Sequence, residues 1–377
     1  MDNPLTSSAN IIWYVADFVD VESFLFFASV SKSWRGAWGP HRPTATRALS
    51  ENTSVSRLSA CFECGLRREA SVCEIIATLG RLDLLQCARQ HGCAWDAGTC
   101  WMAVRGRYID LLHWARANGC PWNWLTCSAA AATGQLSVLQ WARANGCPWY
   151  RDTSFSAASA GHLDILQWAR ANGCPWDSMT CSAAAEWGHL RLLQWARAAG
   201  CPWDEETCAG AARGGHLHIL QWARENACAW DESTCTEAAG AGHLEVLQWA
   251  EANGCLWDES ACHKAAFGGH LGVLQWARAN GFPWDESTCD GAANGGHLEV
   301  LQWARANGCP WGRWTCAGAA GSGFLGVLEW ARANDCPWDV ETCSGAAENG
   351  HLEILRWARA NGCPWDESTC SEAAEGG

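Results

Sequence analysis

The sequence predicts an all-α fold, a helical solenoid built from stacked two-helix repeats. A 27-residue unit recurs eleven times from residue 81 to the end, and a composite of two neighbouring copies reads HLEVLQWARANGCPWDESTCDGAANGG. Apolar residues recur at helical spacing inside each copy, and no copy shows the alternation typical of a strand. A fixed period of this length is typical of solenoids, in which each repeat packs on its neighbours.

The first half of each copy predicts one short helix, which we call the Trp helix. In the copy that begins at His162, Leu163, Leu166 and Trp168 are apolar at helical spacing. Asn172 and Gly173 follow, and these are the residue types that most often end a helix.

The second half predicts another short helix, which we call the Cys helix. Pro175 cannot continue the preceding helix, and Asp177 is a good N-cap for the next one. That helix runs through Thr180 and Cys181 and stops near Gly188. A turn tryptophan recurs in all eleven copies and a Trp-helix tryptophan in ten, from Trp114 to Trp357, so we expect them to pack between neighbouring repeats.

Composition excludes several classes of protein. The net charge is −14, which argues against a nucleic-acid partner. Residues 111–377 contain 15 basic and 29 acidic side chains, so the whole excess of negative charge lies in the repeats. No apolar stretch is long enough to cross a membrane and no signal peptide is evident. We therefore expect a cytoplasmic or nuclear protein whose 24 cysteines remain thiols.

The cysteines form two ladders with a 27-residue period, which raises the alternative of a metal or redox protein. The two cysteines of one copy are seven residues apart, yet Ser154 accompanies Cys147 and Phe282 accompanies Cys289. A ladder that tolerates these losses is better explained by buried small thiols. Cys61 and Cys64 form a lone Cys-x-x-Cys without a second pair at zinc spacing. The sequence predicts no metal site and no cofactor.

Two other motifs resemble chemical sites and are better explained as structure. The histidines that open the Trp helices are replaced by Tyr108, Gln135 and Phe324 without loss of the period. A structural role follows, either capping a helix or bonding to the next turn. Residues 321–326 match G-x-G-x-x-G, but no strand precedes them, so the nucleotide-binding interpretation fails. No catalytic constellation is evident, and we expect a protein that is not an enzyme.

The copies resemble ankyrin repeats. Thr234, the Ala238–Ala239 pair and the run from Gly242 to Leu247 stand where that family has its threonine, paired alanines and Gly-His-Leu-Glu-Val-Val. The match covers about 300 residues, but each copy is about six residues shorter than the usual ~33. The missing part is the β-hairpin finger. The resemblance implies partner binding through the first helix of each repeat, here the Cys helix, without finger contacts.

The N-terminal segment opens with Pro4-Leu5 and closes with Val-Ser-Lys-x-Trp-Arg at residues 30–35. This layout resembles an F-box, a three-helix motif that docks on the linker subunit of cullin-type ubiquitin ligases. The closing run is the most specific part of the resemblance, and the usual acidic residue after the first proline is absent. An apolar helical cap for the first repeat is the alternative. The resemblance places the linker-binding role on Pro4, Leu5, Ile12, Phe24, Leu25, Val30 and Trp34.

Differences between the copies predict the binding site. In the Cys helices, threonine, cysteine and the paired alanines barely vary, whereas the residues between them differ from copy to copy. Positions four apart share a helix face, so one face packs and the other points outward. Several outward residues are aromatic or arginine, which interfaces favour. Neutral drift on a solvated face is the alternative. The predicted partner-binding residues are Trp101, Arg105, Trp124, Arg151, Phe155, Trp187, His263, Phe267 and Trp314.

The sequence therefore predicts a protein-binding solenoid, with the stretch from Trp101 to Phe155 as the best candidate patch. Three regions follow: an F-box-like segment at 1–39, a transitional region with a degenerate repeat at 40–72, and the ankyrin-like solenoid at 73–377. The first hypothesis adds substrate delivery to a ubiquitin ligase, and the second is a scaffold without ligase coupling. The identity of the protein target is not predicted. The last predicted helix, 367–375, has no partner helix, so either the chain belongs to a longer protein or its end docks elsewhere.

Overall fold

The computed structural model describes residues 49–50, 52–63, 65–366 and 369, and it divides into two units at Pro175 and Trp176. The described part of the first unit contains nine helices: α1 Val55–Glu63, α2 Ala70–Leu79, α3 Leu82–Gln90, α4 Ala97–Arg105, α5 Ile109–Ala117, α6 Trp124–Ala132, α7 Leu136–Ala144, α8 Arg151–Ser159 and α9 Leu163–Ala171. The second contains fourteen: α10 Ser178–Glu186, α11 Leu190–Ala198, α12 Glu205–Arg213, α13 Leu217–Glu225, α14 Glu232–Gly240, α15 Leu244–Ala252, α16 Glu259–Phe267, α17 Leu271–Ala279, α18 Glu286–Asn294, α19 Leu298–Ala306, α20 Arg313–Gly321, α21 Leu325–Ala333, α22 Val340–Glu348 and α23 Leu352–Ala360.

Throughout the described residues the elements are helices joined by tight turns, and no strand occurs. Each unit is a stack of two-helix repeats, so the predicted all-α solenoid of two-helix repeats is confirmed. From α2 onward the even-numbered helices are Cys helices and the odd-numbered ones are Trp helices. The transitional region predicted at 40–72 contains α1, which lies 27 residues before α3 and packs against it.

Local sequence explains where the helices begin. At the start of α14, the carboxylate of Asp231 accepts a hydrogen bond from the backbone N–H of Ser233 at 3.0 Å. Asp285 caps α18 through Ser287 in the same way, also at 3.0 Å. These bonds satisfy backbone donors that the first helical turn leaves open. The turn aspartate therefore sets the first residue of each of these Cys helices.

The Cys helices pack directly against the Cys helices of neighbouring repeats, whereas each Trp helix mainly contacts the Cys helix that precedes it in the chain. In α12, Thr207, Cys208, Ala211 and Ala212 are fully buried. Small side chains at these positions let the helix backbones approach closely. A row of closely spaced Cys helices therefore runs along each unit, and their remaining face is the surface on which a site can be built.

The tryptophan ladders link one Trp helix to the next. Trp203 of the turn meets Trp222 of α13 edge to face, with ring centroids 5.7 Å apart. The Arg197 guanidinium, at the end of α11, lies 4.1 Å from the centroid of the Trp203 ring. Edge-to-face and cation–π contacts add to the area that these rings bury. The predicted packing role of both tryptophans is thus realised in an Arg–Trp–Trp contact that spans two repeats.

The cysteines pair differently from the sequence interpretation, which set Cys147 against Ser154. Ser154 instead lies against Cys174, with its hydroxyl 3.5 Å from the thiol. Cys208 is likewise in hydrogen-bond contact with Cys228, 20 residues later. Partners come from successive repeats because the turn cysteine follows the intervening Trp helix. No disulfide joins the described cysteines, all of which are buried thiols.

The histidines that open the Trp helices do not cap their own helices. The Nε2–H of His243 donates to the carbonyl of Arg213 at 3.1 Å. Arg213 ends α12, the second Cys helix before His243 in the chain. The His243 ring covers Gly215, where an added Cβ would lie 2.6 Å from it. The contact therefore reaches back to the turn after α12, not forward to the next turn. Tyr108 covers Gly80 and Phe324 covers Gly296 in the same manner, which explains why other rings replace histidine.

The F-box-like segment lies outside the described residues. This holds for all seven residues to which the resemblance assigns linker binding: Pro4, Leu5, Ile12, Phe24, Leu25, Val30 and Trp34. Cys64 of the Cys-x-x-Cys motif and nearly all of the predicted last helix also lie outside.

Candidate binding face

The candidate site is the outward side of the Cys helices, which we call the variable face. It consists of the residue after the cysteine, the one after that, and the one five positions after the cysteine; in α16 these are His263, Lys264 and Phe267. The opposite side of α16 contains the buried residues Cys262 and Ala266. In α16 the two sides divide as the variation between copies predicts, whereas in α6, α10 and α12 the two residues after the cysteine are buried as well.

In the first unit the predicted residues lie on α4, α6 and α8: Trp101, Arg105, Trp124, Arg151 and Phe155. The Arg105 guanidinium lies 5.3 Å from the Trp101 ring centroid, so these two form one contact within α4. Trp124 is half-buried and meets Tyr150 edge to face at 6.5 Å. Phe155 is 38% exposed and Arg151 is exposed. The structure thus places aromatic and arginine side chains along this stretch without enclosing them in one pocket.

In the second unit, three predicted aromatics on or beside the variable face are more exposed. Trp187 is 60% exposed, Phe267 49% and Trp314 48%. The other described tryptophans of this unit are half-buried, apart from Trp365 in a turn, which is 48% exposed. Accessible aromatic rings of this kind often anchor interfaces. His263 is half-buried, and its Nδ1–H donates to the carbonyl of Ser287 at 2.7 Å.

A depression of about 440 Å³ surrounds Phe267, and we call it the ionic depression. Arg213 lies 2.8 Å from one carboxylate oxygen of Glu237, and Lys264 lies 2.6 Å from the other. Arg213 also reaches Glu186 at 3.2 Å. Burial favours the neutral Glu237 carboxyl, but these two cations outweigh it and hold its pKa below the usual value. The charges of this cluster therefore neutralise one another. The exposed apolar ring of Phe267 is the main surface that remains for a partner.

A second depression, of about 370 Å³, lies between Asn294 and Trp314, and we call it the acidic pocket. Asp290 lines it and accepts a hydrogen bond from the Thr315 hydroxyl at 2.5 Å. Burial raises the pKa of the Asp290 carboxyl, although the hydrogen bond from Thr315 acts in the opposite direction.

A third depression brings Trp187 beside Arg213 and His216. It shares Arg213 with the ionic depression, and the ionic depression shares His263 and Asn294 with the acidic pocket. The structure therefore connects four predicted residues, Trp187, His263, Phe267 and Trp314, along one continuous face of the second unit.

Sequence reasoning did not select the charged residues of this face as site residues. Variable positions of Cys helices also hold four charged residues: Arg213, Glu237, Lys264 and Asp290. The variation between copies that indicated Phe267 therefore indicates these residues as well. The prediction favours aromatic residues over these charged ones at the variable positions. Which charges meet depends on contacts between helices 27 residues apart, and the sequence of one copy does not contain that information.

The structure also bears on a metal or redox role for the cysteine ladders. Burial raises the pKa of the Cys262 thiol to about 12, which disfavours the thiolate at that position. A hydrogen bond with the Cys235 thiol instead lowers the pKa of Cys255. Across the described ranges, no group of three or more His, Cys, Asp or Glu side chains is placed to hold a metal ion. In the same part of the chain, no helix combines the length and apolar character needed to span a bilayer.

No protein-family model matches the chain, and no curated protein sequence matches it. The pentatricopeptide repeat protein PPR10 bound to an 18-nt psaJ RNA element is a structural neighbour at 14% identity and a TM-score of 0.38, covering 99% of this chain and 64% of that one. PPR10 from maize gives 15% identity and a TM-score of 0.35, covering 100% and 65%. The human ASB11 ankyrin repeat domain gives 15% and 0.34, covering 42% of this chain and 84% of that one.

The chain thus spans less than two thirds of the length of the PPR10 chains that it matches. Identities and TM-scores this low assign it to neither family. The conclusion that the chain is an all-α helical repeat protein rests on its own helices and their stacking.

Proposed function

We propose that this helical repeat protein is a non-enzymatic binding module that holds a protein target on its variable face. The observation that carries the proposal is the exposure of Trp187, Phe267 and Trp314 along one face of the second unit. Burying such rings against a partner would contribute about 25 cal/mol for each Å² removed from water. The patch from Trp101 to Phe155 is a second contact region of the same kind, on the first unit.

Charge supports a protein partner over a nucleic acid. Residues 176–377 contain 27 acidic and 11 basic side chains. The two basic residues of the ionic depression, Arg213 and Lys264, are already paired with Glu186 and Glu237. Little unpaired positive charge is therefore left on this face to neutralise phosphates.

A selection from a library of displayed peptides tests the proposal. Segments that bind the protein should lose binding at least ~10-fold when Trp187→Ala and Phe267→Ala are combined, because interface aromatics are typically worth more than ~1.4 kcal/mol. A matched control is Leu352→Ala, which removes an exposed apolar side chain (54% exposed) from a Trp helix. If Leu352→Ala weakens binding equally, or if the selected peptides bind the doubly substituted protein as well as the wild type, the contact lies elsewhere.

We further propose that the N-terminal segment recruits a cullin-type ubiquitin ligase, on the strength of its F-box-like sequence. A scaffold without ligase coupling is the alternative. Capture of the purified linker subunit separates the two. Trp34→Ala and Leu25→Ala should abolish capture, whereas Phe267→Ala should leave it intact. Capture that survives both N-terminal substitutions would contradict the ligase role and leave the scaffold role standing.

A further inference from the structure

The acidic pocket lies above a Cys helix whose variable positions carry only small residues. At the variable positions α20 carries Ala317, Gly318 and Gly321. Packing around these small residues is close, since an added Cβ on Gly318 would lie 3.3 Å from the Cβ of Asn294. Ala317 and Gly318 form the floor of the pocket, and the neighbouring Cys helices form its walls.

The walls carry three carboxylates and no lysine or arginine. Asp290 comes from α18, and Glu341 and Glu348 come from α22. Within the described part of the chain, none of the three takes part in an ion pair. This distinguishes the acidic pocket from the ionic depression, where Arg213 and Lys264 neutralise the glutamates. Unneutralised carboxylates in a concave site attract a cation.

An accessible aromatic ring lies at the end of the same pocket. Trp314 is 48% exposed. The Arg313 guanidinium lies 5.0 Å from its ring centroid and 3.1 Å from a carboxylate oxygen of Asp339. A guanidinium of this chain is thus already placed between a carboxylate and this ring, which is the arrangement that a guanidinium prefers.

We propose that the acidic pocket binds an arginine side chain in a basic, extended segment of the partner. The planar guanidinium stacks on Trp314 while its forked N–H groups donate to carboxylates of the pocket wall. His263 adds to this preference, because its Nδ1–H is held by the Ser287 carbonyl and leaves only an acceptor on the neutral ring. The inference deepens the proposed function by naming the chemistry of the segment that the variable face recognises.

The test uses the full chain and a fluorescein-labelled 12-residue peptide of glycine, serine and three arginines, with binding followed by fluorescence anisotropy. Replacing each arginine by citrulline keeps the shape and removes the charge, and should weaken binding at least ~10-fold. Replacement by lysine should weaken it a few-fold, because ammonium groups lack the planar fork. Equal binding of the citrulline peptide would overturn the proposal.

Variants locate the site. Trp314→Ala and Glu348→Gln should each weaken binding about 5- to 10-fold, in keeping with about 1 kcal/mol or more for a cation–π contact or a charged hydrogen bond. Both side chains are accessible, so the fold should survive, as circular dichroism would verify. Arg313→Ala should strengthen binding, because it removes a competing guanidinium. Glu353→Gln, on α23, removes the same charge outside the pocket and should change nothing.

If Glu353→Gln weakens binding as much as Glu348→Gln does, net charge alone attracts the peptide and the proposed site is wrong.

The experiments distinguish failure of the pocket assignment from failure of the proposed function. If displayed segments bind the variable face but carry no arginine, and the arginine peptide does not bind, only the pocket assignment fails. If no segment depends on the face at all, the proposed function itself fails.

Discussion

At the residue scale, Asp290 shows how a binding residue can cost stability. Its carboxyl lies in the wall of the acidic pocket, partly buried, with one hydrogen bond from Thr315. Burial raises its pKa in the folded protein, so the ionised form that would attract a cation is also the form that the fold disfavours. Sites built for a partner often carry such a cost.

Asp290→Asn should therefore raise stability at neutral pH. Because the folded pKa is the higher one, the folded state holds the proton more tightly, and wild-type stability falls as pH rises from the usual aspartate pKa through the raised folded value. The asparagine variant removes this decline, so the two proteins should converge at acid pH. Urea midpoints across the pH range measure the difference. A gap that widens toward acid would contradict the assignment.

The exposure of individual side chains shows which predicted site residues are accessible to a partner. Phe267 and Trp187 were predicted because they interrupt an otherwise repeated pattern with a large ring, and both are exposed. Trp124 interrupts the pattern just as clearly but is half-buried against Tyr150. A variable position indicates freedom from the core, whereas exposure also depends on what the next repeat places beside it.

At the element scale, the turn after each Trp helix requires a left-handed residue. Gly254 has φ +83° there, and Ala227 occupies the equivalent position with φ 61°. A side chain in this region of the backbone is strained, which is why most copies have glycine. The Asn-Gly ending was readable from the sequence, and the copies that depart from it retain the same backbone conformation.

These two turns offer a reciprocal experiment. Ala227→Gly should stabilise the protein by up to about 1 kcal/mol through relief of strain, less the added entropy of the unfolded chain. Gly254→Ala should destabilise it by about 1 kcal/mol, and through the backbone alone, since an added Cβ would meet nothing within 4 Å. Chemical denaturation of both variants measures the changes. Two changes of the same sign would refute the strain argument.

At the scale of the whole molecule, contacts between neighbouring repeats make each unit fold and unfold cooperatively. His243 binds the end of α12, the second Cys helix before it in the chain, and Gln135 makes a similar bond to the Val104 carbonyl of α4 at 2.7 Å. Stability in a solenoid is approximately a sum of repeat and neighbour terms. Side chains that cross the boundary between repeats therefore control how cooperatively a unit unfolds.

His243→Ala should lower stability by about 1–2 kcal/mol, because the Arg213 carbonyl loses its partner and the ring no longer covers Gly215. Unfolding should also become less cooperative, visible as a broader urea transition. His243→Gln should recover part of the loss, since an amide N–H can replace the bond as it does at Gln135. Gln and Ala variants of equal stability would show that packing on the glycine, not the hydrogen bond, couples the repeats.

The sequence by itself determined the period, the two helices of each copy, and the division of the Cys helix into a buried and a variable side. These features depend on spacing along a single copy, and Thr207, Cys208 and Ala211 lie buried as that spacing requires. Only the tertiary structure decided that Ser154 meets Cys174, that His243 reaches back to Arg213, and that three carboxylates line one pocket above Ala317 and Gly318. Those contacts join residues 20 or more positions apart, and they follow from how one repeat is set against the next, which no single copy encodes.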